Sequence, residues 1–119
     1  MLTGSEAANV YLACGATDMR KSIDGLAAIV THAFDLNPFE GASLFVFCNK
    51  GRNKLKILRW ENNGFWLYYR RLERGRFRWP QSSSGEPMTV SRRQLAWLLD
   101  GLSIEQLQAH KPLATRVAS

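Results

Sequence analysis

Apolar positions along the chain change period several times, and each change marks an element. Asn9 to Ala13 reads as a short strand. Ile23, Leu26, Ala27, Val30 and Phe34 then recur at three- and four-residue steps, the stripe of an amphipathic helix. Ser22 stands at its N-cap position, and Asp24 in its first turn complements the helix dipole. Asn37-Pro38 ends the helical region, because the residue before proline is pushed out of the α region. Leu44 to Cys48 is apolar at every position, as in a central strand covered on both faces. Asn49 to Asn53 is a polar hairpin loop.

The next stretch alternates with period two. Lys54 and Lys56 point one way, Leu55 and Ile57 the other. Glu61-Asn62-Asn63-Gly64 is a tight turn. Phe65 to Leu72 forms the following strand, with Phe65, Leu67 and Tyr69 on one face and Trp66, Tyr68 and Arg70 on the other. After the turn at Glu73-Arg74-Gly75, Arg76-Phe77-Arg78-Trp79 alternates charge with ring, so both arginines share a face until Pro80 stops the run. Gln81 to Gly85 is a loop.

Helix returns at Ser91, which with Gln94 fits a capping box. Leu95, Leu98, Leu99 and Leu102 form its stripe, and Gly101 suits its C-terminal cap. Ser103 to Gln106 repeats the capping pattern and predicts a short last helix from Ile104 to His110. The sum is one α+β domain over residues 1–119 with a core from about 9 to 110 and frayed tails. Its expected form is an antiparallel meander of four to five strands, one helix packed on it, and a C-terminal helical pair. The second helix of that pair carries no arginine, which argues against a helix-turn-helix reader.

Charge changes this picture more than composition does. The 119 residues are 45% hydrophobic and 22% charged, which is ordinary for a globular chain. The net charge is +6, but it is unevenly placed. Residues 50–93 hold twelve basic side chains against three acidic ones, or +9; the other 75 residues hold four against seven, or −3. The same segment carries seven of the thirteen aromatic residues. A localised basic excess points to a polyanionic partner. Rings interleaved with cations suit stacked bases, yet a small domain also needs such rings for its core.

Other classes fall away. The longest apolar runs, such as Leu44 to Cys48, are far shorter than the roughly 20 residues of a membrane span, and the N-terminus does not read as a secretory signal. Cys14 and Cys48 lack a C-x-x-C context, so reduced thiols and a cytoplasmic location are expected. His32 and His110 sit in no metal motif, and no phosphate loop or nucleophile elbow is present. Neither cofactor nor metal is expected, nor an enzyme. Asp18, Asp24 and Glu61 are the acids that could converge on a metal, although their spacing does not require it.

Several ordered motifs carry a family resemblance: Tyr11-Leu12-Ala13-Cys14-Gly15, Thr17-Asp18-Met19-Arg20-Lys21, Gly25-Leu26-Ala27, Leu44 to Asn49, Lys54 to Leu58, Gly64-Phe65, Tyr69 to Glu73, Gly75-Arg76-Phe77 and Trp79-Pro80. From about Val10 to Leu102 the chain resembles the TnpB-type accessory protein of bacterial insertion sequences of family sixty-six, which is distinct from the RNA-guided nuclease sharing that name. Glu61 stands where the family often has Asp, and Arg70 where it often has Lys; both keep the charge. The resemblance implies a non-catalytic protein encoded beside a DDE-type transposase and required with it for efficient transposition.

The family names a process, and the residues suggest the means. Candidate nucleic-acid contacts are Lys50, Arg52, Lys54, Lys56, Arg70, Arg71, Arg74, Arg76 and Arg78. Lys54, Lys56, Arg70, Arg76 and Arg78 are expected on one basic sheet face, with Lys50 and Arg52 on the adjacent loop, where they would neutralise DNA phosphates. The alternative is a module that docks this face on an acidic surface of the transposase. The family-like segment Asp18, Met19, Arg20 and Lys21 precedes the helix. Its Asp18 either braces the start of the helix through backbone amides, the favoured reading, or serves a cryptic strand-processing activity.

Overall fold

The computed structural model describes residues 9–82 and 84–104. Its elements are β1 (Asn9–Ala16), α1 (Ile23–Ala28), which continues as a π-helical turn over Ile29–Ala33, β2 (Ser43–Cys48), β3 (Lys54–Glu61), β4 (Gly64–Arg71), β5 (Met88–Val90) and α2 (Arg92–Leu99). The five strands form one sheet in the order β4-β3-β2-β1-β5.

The α+β class holds, but the meander is shorter than the alternation suggested. Only β2, β3 and β4 follow one another antiparallel. β1 joins β2 in parallel, from Asn9 opposite Ser43 to Leu12 opposite Val46. Parallel neighbours need a crossover, and α1 supplies it. β2, flanked by β1 and β3, is accordingly the most buried strand, and all six of its residues are inaccessible. β5 pairs antiparallel with the outer side of β1. Three residues are too few for a periodic signal, so pattern does not reveal it.

Both faces of the sheet are covered. On one, Val10, Leu12, Leu44, Val46 and Ile57 pack with Phe77, Trp79 and the α2 leucines Leu95 and Leu98. On the other, Ala13, Phe45, Phe47 and Leu58 pack with Leu26 and Val30. The π-helical turn brings Phe34 over Phe47, with ring centroids 6.4 Å apart.

The ends of the elements obey local chemistry. Asn62 and Asn63 both have positive φ, 49° and 68°, the backbone of a two-residue type I′ hairpin. Gln94 N–H donates to Ser91 Oγ at 3.0 Å, and Ser91 N–H donates to Gln94 Oε1 at 2.8 Å, completing the capping box. Gly101, at φ 82°, donates to the Leu98 carbonyl, while Leu102 donates to that of Trp97, a Schellman ending. Ser91→Ala is expected to cost about 1 kcal/mol, read as a midpoint shift in thermal denaturation. Ser22 differs: it occupies the N-cap of α1, but its side chain makes no cap hydrogen bond. The last predicted helix lies outside the described residues apart from Ile104, which is buried.

Arg76 to Trp79 is not a strand. It is an extended arm that meets the β2–β3 hairpin through one backbone bond, Phe77 N–H to the Arg52 carbonyl at 2.7 Å. Its alternation survives because Phe77 and Trp79 turn into the core while Arg76 and Arg78 face solvent.

A candidate cationic groove at one end of the sheet

The β2–β3 loop is held by its own asparagines. Asn49 Oδ1 accepts from Asn53 N–H at 3.0 Å and Lys54 N–H at 3.1 Å, and Asn49 Nδ2 donates to Asn53 Oδ1 at 2.9 Å. Arg52 takes a left-handed conformation, φ 61°, so the loop turns sharply and presents Lys50 and Arg52 at its tip.

The arm docks beside this loop. Leu72 N–H donates to the Asn53 carbonyl at 2.7 Å, and the buried Trp79 indole N–H donates to the Ala13 carbonyl at 2.8 Å. Between arm and loop lies a groove of about 790 Å³, lined by Arg52, Arg76, Arg78, Gln81, the rings of Phe77 and Trp79, and Ser103 and Ile104. A smaller hollow of about 170 Å³ adds Cys14, Asn49 and Lys50, and it shares Arg52, Trp79 and Gln81 with the groove. Four cations, Lys50, Arg52, Arg76 and Arg78, therefore line these two adjoining hollows, and among the described residues no Asp or Glu lines either. Burial pushes the Cys48 thiol up to about 11 and raises that of Cys14, so neither is a ready nucleophile.

The expected single basic face is corrected here. Lys54 is the register partner of Arg71, and Leu55 that of Arg70. Since alternate residues face opposite ways, Lys54, Lys56 and Arg71 lie on the α1 side, while Arg70 lies on the side of the arm. Strand alternation divides cations that composition had grouped. Arg74 is exposed in the turn after β4, and Arg71 pairs with Glu73 at 2.9 Å.

Lys56 has a task that sequence reading missed. Its Nζ donates to the Met19 and Lys21 carbonyls, each at 2.8 Å, and lies 5.7 Å from the centre of the Tyr69 ring. It clamps the family-like segment onto the sheet. Within that segment Asp18 Oδ1 accepts from Arg20 N–H at 2.9 Å, and Oδ2 pairs with the Arg20 guanidinium at 2.7 Å. These contacts hold the Asp18 carboxyl down to about 2. Met19 packs against the helix-side core, and Lys21 is exposed. Asp18 thus organises the turn before α1 by accepting a backbone amide. Among the described residues no three His, Cys, Asp or Glu side chains gather as metal ligands would. Glu61 is at the far end of β3 from Lys54, and Asp24 sits in the first turn of α1.

The rings separate into two sets. Phe77 and Trp79 are buried beneath the groove arginines, whereas Trp66 and Tyr69 on β4 are about half exposed. Gln81 is the groove residue no sequence signal marked.

Fold and site together define a small basic α+β protein with its cations gathered at the hairpin end of a mixed sheet. The chain belongs to the IS66 Orf2-like protein family, whose model matches residues 8–109, and so has an accessory role in an insertion sequence. It is similar to the uncharacterized protein y4hO of Sinorhizobium fredii, at 39% identity over 86% of this chain and 87% of that protein. It is also similar to the uncharacterized protein y4jC of the same organism, at 29% identity over 99% of this chain and 100% of that protein. No solved structure matches it.

Proposed function

We propose that this protein is a non-catalytic transposition factor that holds duplex DNA by its phosphates in the cationic groove, working in the cytoplasm at the nucleoid. The observation that carries the reading is the set Lys50, Arg52, Arg76 and Arg78 around the groove and its adjoining hollow, which no acid lines among the described residues. Its rings are buried under the arginines, so the groove offers charge rather than stacking platforms. Phosphate contacts of this kind position a protein without reading bases.

About four contacts imply that log affinity falls with log salt at a slope near −3.5 on duplex DNA. In the double variant Arg76→Glu/Arg78→Glu, terminal-repeat DNA should bind more weakly at low salt, with a slope shallower by about two. Fluorescence anisotropy between about 50 and 200 mM salt measures both. Unchanged affinity and slope would remove the groove from the mechanism.

A second reading has the cations dock on an acidic surface of the transposase. The exposure of Arg70, Arg71 and Arg74 away from the groove favours it. Strong capture of transposase with no DNA binding at low salt would select it.

A further inference from the structure

We infer that the open edge of β4 is an interface for a second copy of this chain, paired antiparallel about Leu67 so that two sheets become one. This does not rest on the DNA reading.

The two edges of the sheet differ. One is β5, only three residues long. The other is β4, eight residues paired to β3 from Lys54–Arg71 to Glu61–Gly64 without a register shift. β4 contains neither proline nor bulge, and among the described residues no strand pairs with its outer side. Edge strands ordinarily are short, bulged or interrupted; this one is long and regular. It also exposes Trp66 on one face and Tyr69 on the other.

The hairpin fixes which amides are free to pair. The Glu61–Gly64 turn directs the Gly64 N–H back to Glu61. Alternation along an antiparallel ladder then turns the amides of Phe65, Leu67 and Tyr69 outward. A two-fold axis at Leu67 sets these residues in hydrogen-bonded pairs: Leu67 with its own copy, and Phe65 with Tyr69 of the second copy.

Charge selects the second copy and the direction. A parallel partner would stack Arg70 and Arg71 on their own copies. The antiparallel arrangement instead carries Arg70 across Gly64 of the other chain. Gly64 has no side chain, and its neighbour in β3 is Glu61, on the same face. Arg70 of the second copy would lie two strand spacings, about 10 Å between Cα atoms, from Glu61, within reach of the two side chains. Glu61 already leans toward this edge, accepting the Trp66 indole N–H at 2.9 Å. Shifting the axis to Tyr68 would set Arg70 opposite Trp66, whose β3 partner is Arg59, a like charge. On the same face Trp66 and Tyr68, stacked at 6.1 Å within one chain, would meet the same pair from the other.

Sedimentation velocity up to about 100 µM tests this with the full chain. A dimer is expected, and the amides of Phe65, Leu67 and Tyr69 should exchange more slowly as concentration rises. Tyr69→Pro removes an outward N–H without touching the β3 ladder and should give a monomer with unchanged circular dichroism. Arg70→Glu and Glu61→Arg should each weaken self-association about tenfold, and the double variant should associate more tightly than either single one. A monomer throughout that range overturns the proposal, even if these amides become protected on adding transposase. A dimer indifferent to Tyr69→Pro, or charge variants that do not rescue each other, also overturns it.

Discussion

Trp79→Ala is expected to lower the stability of this protein by about 3–5 kcal/mol. The side chain is 5% exposed, fills the core under the groove and gives its indole N–H to the Ala13 carbonyl. Truncation leaves a cavity between the arm, β1 and α2, and strands that carbonyl. At about 4 °C per kcal/mol, the thermal midpoint should fall by about 12–20 °C. Trp79→Phe keeps most of the volume and loses only the hydrogen bond, so about 1 kcal/mol is expected. Trp79 and Phe77 also anchor the arm that carries Arg76 and Arg78. On the proposed function, DNA affinity therefore falls in Trp79→Ala even at temperatures where the domain stays folded. A variant of unchanged midpoint would mean that the arm is not part of the core.

Lys56→Met carries the second large effect, about 1.5–3 kcal/mol. The ammonium bonds two carbonyls of the Met19–Lys21 turn, and methionine fills its space without donating. Chemical denaturation should register the loss. The salt dependence of DNA binding should stay as in the unaltered protein, because Nζ is occupied by the protein itself. Lys50→Met should behave in the opposite way, with stability unchanged and the slope shallower by about one. Lys50 is exposed and lines the smaller hollow beside the groove, so it has little folding role to lose. If Lys56→Met left stability intact and flattened the slope, Lys56 would belong among the phosphate contacts after all.

These two residues show how far pattern reading reaches. Lys54, Lys56, Leu55 and Ile57 were legible as an alternating strand, and their two faces are as the alternation required. That Lys56 is a clamp was not legible, because its partners lie 37 and 35 residues away in sequence. The Ser91 capping box, the turn at Glu61–Gly64 and the Gly101 ending were legible because each is completed within about five residues, although the positive-φ pair is Asn62-Asn63 rather than the Asn-Gly pair that marked the turn. The Arg76–Trp79 run was legible as alternating but not as an arm. Alternation records which side of a chain is buried and says nothing of whether a neighbouring strand supplies a ladder.

The candidate site divides along the same line. The +9 segment was countable, and the motif order pointed to the family that the match over residues 8–109 shows. Which cations stand together was decided elsewhere. Sequence by itself determined β1 to β4, the two helices, the Ser91 and Gly101 caps, the two-sided burial of β2 and the location of the basic excess, since each depends on neighbours along the chain. Tertiary structure alone decided that β1 lies parallel to β2, that Arg70 and Lys54 face opposite ways from one sheet, and that Arg52, Arg76 and Arg78 line one groove. Those outcomes depend on strand pairing and on the burial of Trp79 against Ala13, contacts between residues whose separation along the chain carries no local signal.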